Sequence, residues 1–137
     1  MRAVLDPNVL ISALLSRDGA PARVFRSWPE GEFELVVSEK LLVELERALA
    51  YPKLRKRVEP TEATEFIDLL QRGAIVERDP SDPPSVRSAD VNDDYLIALA
   101  ESTHAMLVSG DRHLLALATR APIFAPPDFL AELTKGQ

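Results

Sequence analysis

The chain has 137 residues, of which 46% are hydrophobic and 28% charged, the balance of one soluble globular domain long enough to bury its own core. It has no cysteine and only two histidines, His104 and His113. This excludes disulfides, thiolate metal sites, iron–sulfur clusters and a cysteine nucleophile, and it argues against a zinc site built from imidazoles. The formal charge of −6 argues against holding nucleic acid by bulk electrostatics alone, yet leaves room for an enzyme that reaches a phosphodiester through bound cations.

Arg2 to Leu5 is a short apolar run of the kind that forms a buried strand, with Asp6 at its carboxyl end. Pro7 suits the first turn of a helix that Asp6 can cap, with Val9, Leu10, Ala13 and Leu14 facing inward. After a loop over Ser16 to Gly19, Pro21 opens a second helix that runs through Val24, Phe25 and Trp28 until Pro29-Glu30-Gly31 breaks it. Phe33 to Val37 is the second strand. Ser38 then caps a helix over Glu39 to Ala50, with Leu41, Leu42, Leu45, Ala48 and Leu49 on one broad face.

Tyr51-Pro52 ends that helix, and Lys53 to Arg57 is a basic stretch. With Arg23 and Arg26, it could hold phosphates or simply be a solvated face. Thr61 to Gln71 reads as a helix with Thr61 and Thr64 as caps and Gly73 as its stop, followed by a third strand over Ala74 to Val76. Arg78 to Asp90 holds three prolines with Ser and Asp residues, so it is a surface loop. Asn92 to His104 is helical, with Leu96, Ile97, Leu99 and Ala100 inward. Ala105 to Val108 is the fourth strand, stopped by Ser109-Gly110-Asp111, and a short helix starts at Arg112. Ile123-Phe124 is an edge strand, and Pro127 to Leu133 closes the chain as a helix.

Strands alternating with helices predict an α/β domain spanning residues 1–137, with a parallel sheet of four to five strands, helices on both faces and right-handed crossovers. Ligands of such sheets bind at the carboxyl ends of the strands. Asp6 and Asp111 stand at two of these ends, and Asp93-Asp94 opens a helix. Gathered carboxylates repel by about 4 kcal/mol per pair at ~4 Å and an effective dielectric near 20. Such a group takes up protons or a cation. With only hard oxygen donors available, the cation would be Mg²⁺ or Mn²⁺. No apolar run approaches the ~18 residues of a membrane span. Met1 to Asp6 reaches an acid and a proline too early for a secretory segment, so a cytoplasmic location is expected.

Four segments together resemble a known family. Leu5-Asp6-Pro7-Asn8-Val9-Leu10-Ile11-Ser12-Ala13 is similar to the opening motif of PIN-domain ribonucleases. Val36 to Leu45 resembles their second motif, Asn92 to Ala100 the third, and Leu107 to Leu115 the fourth. Each is weak alone; the ordered set covers nearly the whole chain. Its proportions look most like the toxin-type members of prokaryotic toxin–antitoxin pairs. The resemblance implies a three-layer PIN-like fold and a Mg²⁺- or Mn²⁺-dependent endoribonuclease. Asp6, Glu44, Asp94 and Asp111 match the acidic quartet, with Asp93 as a supplementary acid. Asn8 matches an asparagine that orders the site, and Ser109 stands where Thr or Ser precedes the last Gly-Asp. Leu115 occupies a position where some relatives carry a further acid or Asn, so four acids are expected and no fifth. Helical phase alone does not separate Glu44 from Glu46; only the resemblance selects Glu44. It also implies an RNA substrate, a small antitoxin partner that covers the acidic edge, and a homodimer.

Three other readings compete. A non-catalytic PIN-like module binding RNA or protein is disfavoured by the intact quartet. A receiver domain would need a second acid after strand one, an acceptor Asp after strand three and a late Lys, and these are lacking. A dinucleotide-binding module would need a glycine-rich phosphate loop, which is also lacking.

Overall fold

The computed structural model describes residues 1–135. Its elements in chain order are β1 (Arg2–Leu5), α1 (Pro7–Leu15), α2 (Ala20–Ser27), β2 (Glu34–Val37), α3 (Glu39–Leu49), α4 (Pro52–Arg55), α5 (Pro60–Gly73), β3 (Ile75–Val76), α6 (Asp94–Thr103), β4 (Met106–Val108), α7 (Arg112–Leu115), β5 (Ile123–Phe124) and α8 (Pro126–Lys135). A single 3-10 turn, Val91–Asp93, leads into α6. The five strands form one parallel sheet in the order β3-β2-β1-β4-β5.

This order decides where a site can form. The chain moves outward from β1 to β2 and β3, then crosses to the other side of β1 for β4 and β5. With right-handed crossovers, that reversal sends α1–α5 and α6 to opposite faces, giving helix, sheet and helix layers. The crevice at the reversal lies between the carboxyl ends of β1 and β4. The strands are continuously apolar because both faces are covered: Ala3, Val4, Leu5, Val36, Val37 and Val108 are fully buried. Leu41, Leu45 and Leu49 seat α3, and Leu96 and Leu99 seat α6.

Local chemistry explains most boundaries. Asp6 Oδ1 accepts from the Asn8 backbone N–H at 3.0 Å and starts α1. Ser38 Oγ accepts from Leu41 N–H at 3.3 Å and starts α3. His104, at φ 57° and ψ 41°, ends α6 in the left-handed region. Three details depart from expectation. The basic stretch is partly helical, as α4. The helix α5 opens at Pro60 rather than Thr61, with Glu62 Oε1 accepting from Glu59 N–H at 3.3 Å, while Thr64 Oγ1 donates back to the Pro60 carbonyl. Gly73 belongs to that helix, and a Cβ there would lie 3.1 Å from the Trp28 ring, so the glycine admits the indole.

The loop from Glu77 to Asp90 is tied down rather than free. Asp79 Oδ2 accepts from Lys40 N–H at 3.1 Å at the start of α3. Ser85 donates from its hydroxyl to Glu101 Oε2 at 2.5 Å. Arg87 and Ser88 reach the first residue of α6, as described below. Among the described residues, no helix is long and apolar enough to cross a membrane.

Candidate functional site

The sheet register builds the centre of the site. Leu5 pairs with Val108 across β1 and β4. Continuing that register by one residue sets Asp6 beside Ser109. The Ser109 hydroxyl donates to Asp6 Oδ2 at 2.8 Å, and Ser109 Oγ in turn accepts from Asp111 N–H at 3.0 Å. Ser109 is fully buried. It thus fastens one acid directly and the backbone of another, and it is a structural hydroxyl at the crevice floor. Asp6 is 5% exposed, so burial pushes its carboxyl up from the ordinary value. The Asn8 and Ser109 hydrogen bonds pull the other way, and the charges of Asp111 and Glu44 push it up again.

Glu44 approaches from α3. Its Oε2 accepts from the Tyr95 hydroxyl at 2.8 Å, which joins α3 to α6 across the crevice. Glu46 is exposed and lines a cleft toward α5 instead. The choice that helical phase left open is therefore made by packing: Glu44 lies on the side of Asp6, whose carboxyl feels the Glu44 charge.

Asp93 and Asp94 divide differently from expectation. Asp94 is 7% exposed, and both its oxygens are used. Oδ2 accepts from Arg87 Nε and Oδ1 from Ser88 N–H, each at 2.7 Å. It fastens the 77–90 loop to α6. Asp93, the last residue of the 3-10 turn, faces the other acids. Its carboxyl is pushed up to about 6, first by burial and then by the charges of Asp111, Asp90, Asp6 and Glu44. Its Oδ2 is buried and has no hydrogen-bond partner. The structure thus brings Asp6, Glu44, Asp93 and Asp111 together and leaves Asp94 outside, committed to an ion pair. The two aspartates stand at the junction of α6 with a 3-10 turn, Val91–Asp93, that the sequence did not announce.

Asp111 caps α7, its Oδ1 accepting from His113 N–H at 2.7 Å. His113 Nδ1 stands 3.5 Å from the same oxygen. Asn8 donates its backbone N–H to Asp6, and its residue lines an open cleft of ≈300 Å³ with Val9, Ser12, Pro21, Gly110, Asp111 and Pro126. The basic residues lie elsewhere: Arg23 and Arg26 line a cleft against α8, and Arg55 one between α3 and α5. None of the four gathered acids lines either cleft. Tyr95, Arg87 and Ser88 escaped the sequence reading, since nothing in their spacing announces a polar contact with a distant acid.

The residues suit a hard divalent cation. The donors are carboxylate oxygens, one of them buried and unpartnered, and the Asp6 and Asp93 carboxyls are raised first by burial and then by the neighbouring acids, a cost of holding charge that a cation would relieve. Among the described residues, no three acidic or imidazole groups already stand in coordinating geometry.

Comparison with known proteins agrees with this architecture. The structure is similar to PAE2754 from Pyrobaculum aerophilum, with a TM-score of 0.65 and 19% identity over 98% of this chain and 90% of that one. It is similar to VapBC2 from Rickettsia felis bound to a DNA fragment from their promoter, with a TM-score of 0.59 and 13% identity over 90% and 97% of the two chains. It is also similar to the PilT N-terminus domain protein SSO1118 from Sulfolobus solfataricus P2, with a TM-score of 0.52 and 17% identity over 97% and 93%. At these identities the likeness speaks for the fold alone. No curated protein matches in sequence. A family model described as PIN domain matches residues 2–113, most of the chain, and this chain belongs to the PIN domain family.

Proposed function

We propose that the chain is a divalent-metal-dependent endoribonuclease that hydrolyses RNA phosphodiesters, and that it is the toxin of a toxin–antitoxin pair. The observation that carries the reading is the convergence of Asp6, Glu44, Asp93 and Asp111 at the β1/β4 reversal, with Asp93 Oδ2 buried and unpartnered. Those four acids would hold Mg²⁺ or Mn²⁺. When bound, the ion supplies activation of water and stabilisation of charge at the phosphodiester, so no side-chain nucleophile is required. Ser109 keeps Asp6 and the Asp111 backbone in register. Asp94 acts as a positioning residue, fixing the 77–90 loop through Arg87 and Ser88. The cleft beside Asp111, with Asn8 and Ser12 on its wall, receives the RNA strand.

The toxin assignment rests on the motif proportions and is supported by the likeness to the VapBC2 complex. A small antitoxin would cover the acidic edge, and the chain would work in the cytoplasm as a homodimer. The deciding experiment is cleavage of a panel of structured and single-stranded RNAs with Mg²⁺, Mn²⁺ or EDTA, beside Asp6→Asn. Metal-dependent cleavage lost in that variant is expected. Equal behaviour of wild type and variant would refute the assignment. RNA binding without cleavage under every metal would favour the non-catalytic module.

A further inference from the structure

We infer that Tyr95 is the positioning residue for Glu44, presetting that carboxylate for the cation; the inference deepens the nuclease reading above and rests on it. The phenol donates to Glu44 Oε2 at 2.8 Å, over a separation of 51 residues. Lys40 lies one helical turn before Glu44 on α3, and its Nζ stands 4.6 Å from the centroid of the Tyr95 ring. Asp79 holds the same turn of α3 by accepting from Lys40 N–H. Tyr95 is therefore gripped twice by α3, on its face by Lys40 and at its hydroxyl by Glu44.

The division of oxygens is what makes this more than packing. Tyr95 occupies Oε2 of Glu44, and among the described residues no hydrogen bond reaches Oε1. One oxygen is thus spent on orientation and the other stays available to a cation. A glutamate on a half-exposed helix face otherwise samples many rotamers, and fixing it beforehand removes that cost from ion capture. The same device orients carboxylate and imidazole ligands in metal sites generally, where losing the outer partner weakens affinity by about 10–100-fold.

The test is calorimetric titration of the full chain with Mn²⁺, in the absence of RNA. Tyr95→Phe keeps the ring and its contact with Lys40 and deletes only the hydroxyl. Its Mn²⁺ affinity is expected to fall about tenfold. In a Glu44→Gln background, adding Tyr95→Phe is expected to change affinity no further, because the bond it removes serves only Glu44. In RNA cleavage, the half-saturating Mn²⁺ concentration rises by the same factor while kcat at saturating metal recovers. A purely structural tyrosine would not move metal affinity, and wild-type affinity in Tyr95→Phe would overturn the inference. So would independent, multiplicative losses in the double variant. If wild type itself took up no Mn²⁺, the nuclease reading would fall first and this inference with it. Wild-type uptake with an unaffected Tyr95→Phe would sink this inference alone.

Discussion

Asp93→Asn and Asp94→Asn, one residue apart and chemically identical, are expected to change stability in opposite directions. In metal-free protein the Asp93 carboxyl stands at about 6 instead of 3.8, because burial and the neighbouring acids Asp111, Asp90, Asp6 and Glu44 disfavour its charge. The folded chain then binds the proton more tightly than the unfolded one. Asp93 contributes its full stabilisation only below about pH 4, and that contribution is lost as pH rises to about 6. A shift of this size corresponds to about 3 kcal/mol at full strength, and solvent screening of a partly buried side chain reduces it to about 1–2 kcal/mol. Above pH 6 the asparagine variant escapes this cost. Asp94→Asn instead removes the charge that holds Arg87 and Ser88, at a cost of about 1–2 kcal/mol, since Arg87 is half exposed. Thermal denaturation followed by circular dichroism in EDTA, from pH 4 to pH 8, reads both. At pH 7.5, Asp93→Asn should melt a few degrees above wild type and Asp94→Asn a few degrees below, on the scale of roughly 3–6 °C. The Asp93→Asn advantage should vanish by pH 4. If Asp93→Asn were destabilised at pH 7.5, or if both variants moved alike, the division of roles between the two aspartates would be wrong.

Other outcomes follow from the same contacts. Added Mn²⁺ should raise the melting temperature of wild type, by about 2.7 kcal/mol of stabilisation at a hundred times its dissociation constant, and should leave Asp6→Asn nearly unmoved. Ser109→Ala strips a buried donor from Asp6 Oδ2 and an acceptor from Asp111 N–H, so it should cost about 1–3 kcal/mol in urea denaturation and weaken metal uptake in calorimetry. Gly73→Ala should destabilise the chain, because its Cβ would sit 3.1 Å from the Trp28 ring; unchanged urea unfolding would show that the indole shifts freely. Glu46→Gln, on the cleft toward α5, should leave metal affinity intact, whereas Glu44→Gln should lower it.

Much of this protein is written locally. Asp6 before Pro7 and Ser38 before Glu39 are caps whose partners lie two or three residues away, so the starts of α1 and α3 are legible from the chain itself. Apolar runs ending in Asp6 and in Ser109-Gly110-Asp111 announce strands whose carboxyl ends carry acids, and parallel topology then brings those ends to one crevice. Cap, period and strand end are short-range properties, and sequence carries them. The choice between neighbours is not of that kind. Glu44 and Glu46 flank the same apolar face, and contacts from distant elements distinguish them: Tyr95 arrives from α6 at Glu44, and Glu46 is left on the cleft toward α5. Asp93 and Asp94 share one composition and one motif. Arg87 and Ser88, folded back from the 77–90 loop, claim Asp94, while Asp93 feels the charges of Asp111, Asp6 and Glu44. Each decision depends on where a partner distant in sequence comes to rest, and a hydrogen bond at 2.7 or 2.8 Å is set by the packing of whole elements rather than by the spacing of letters.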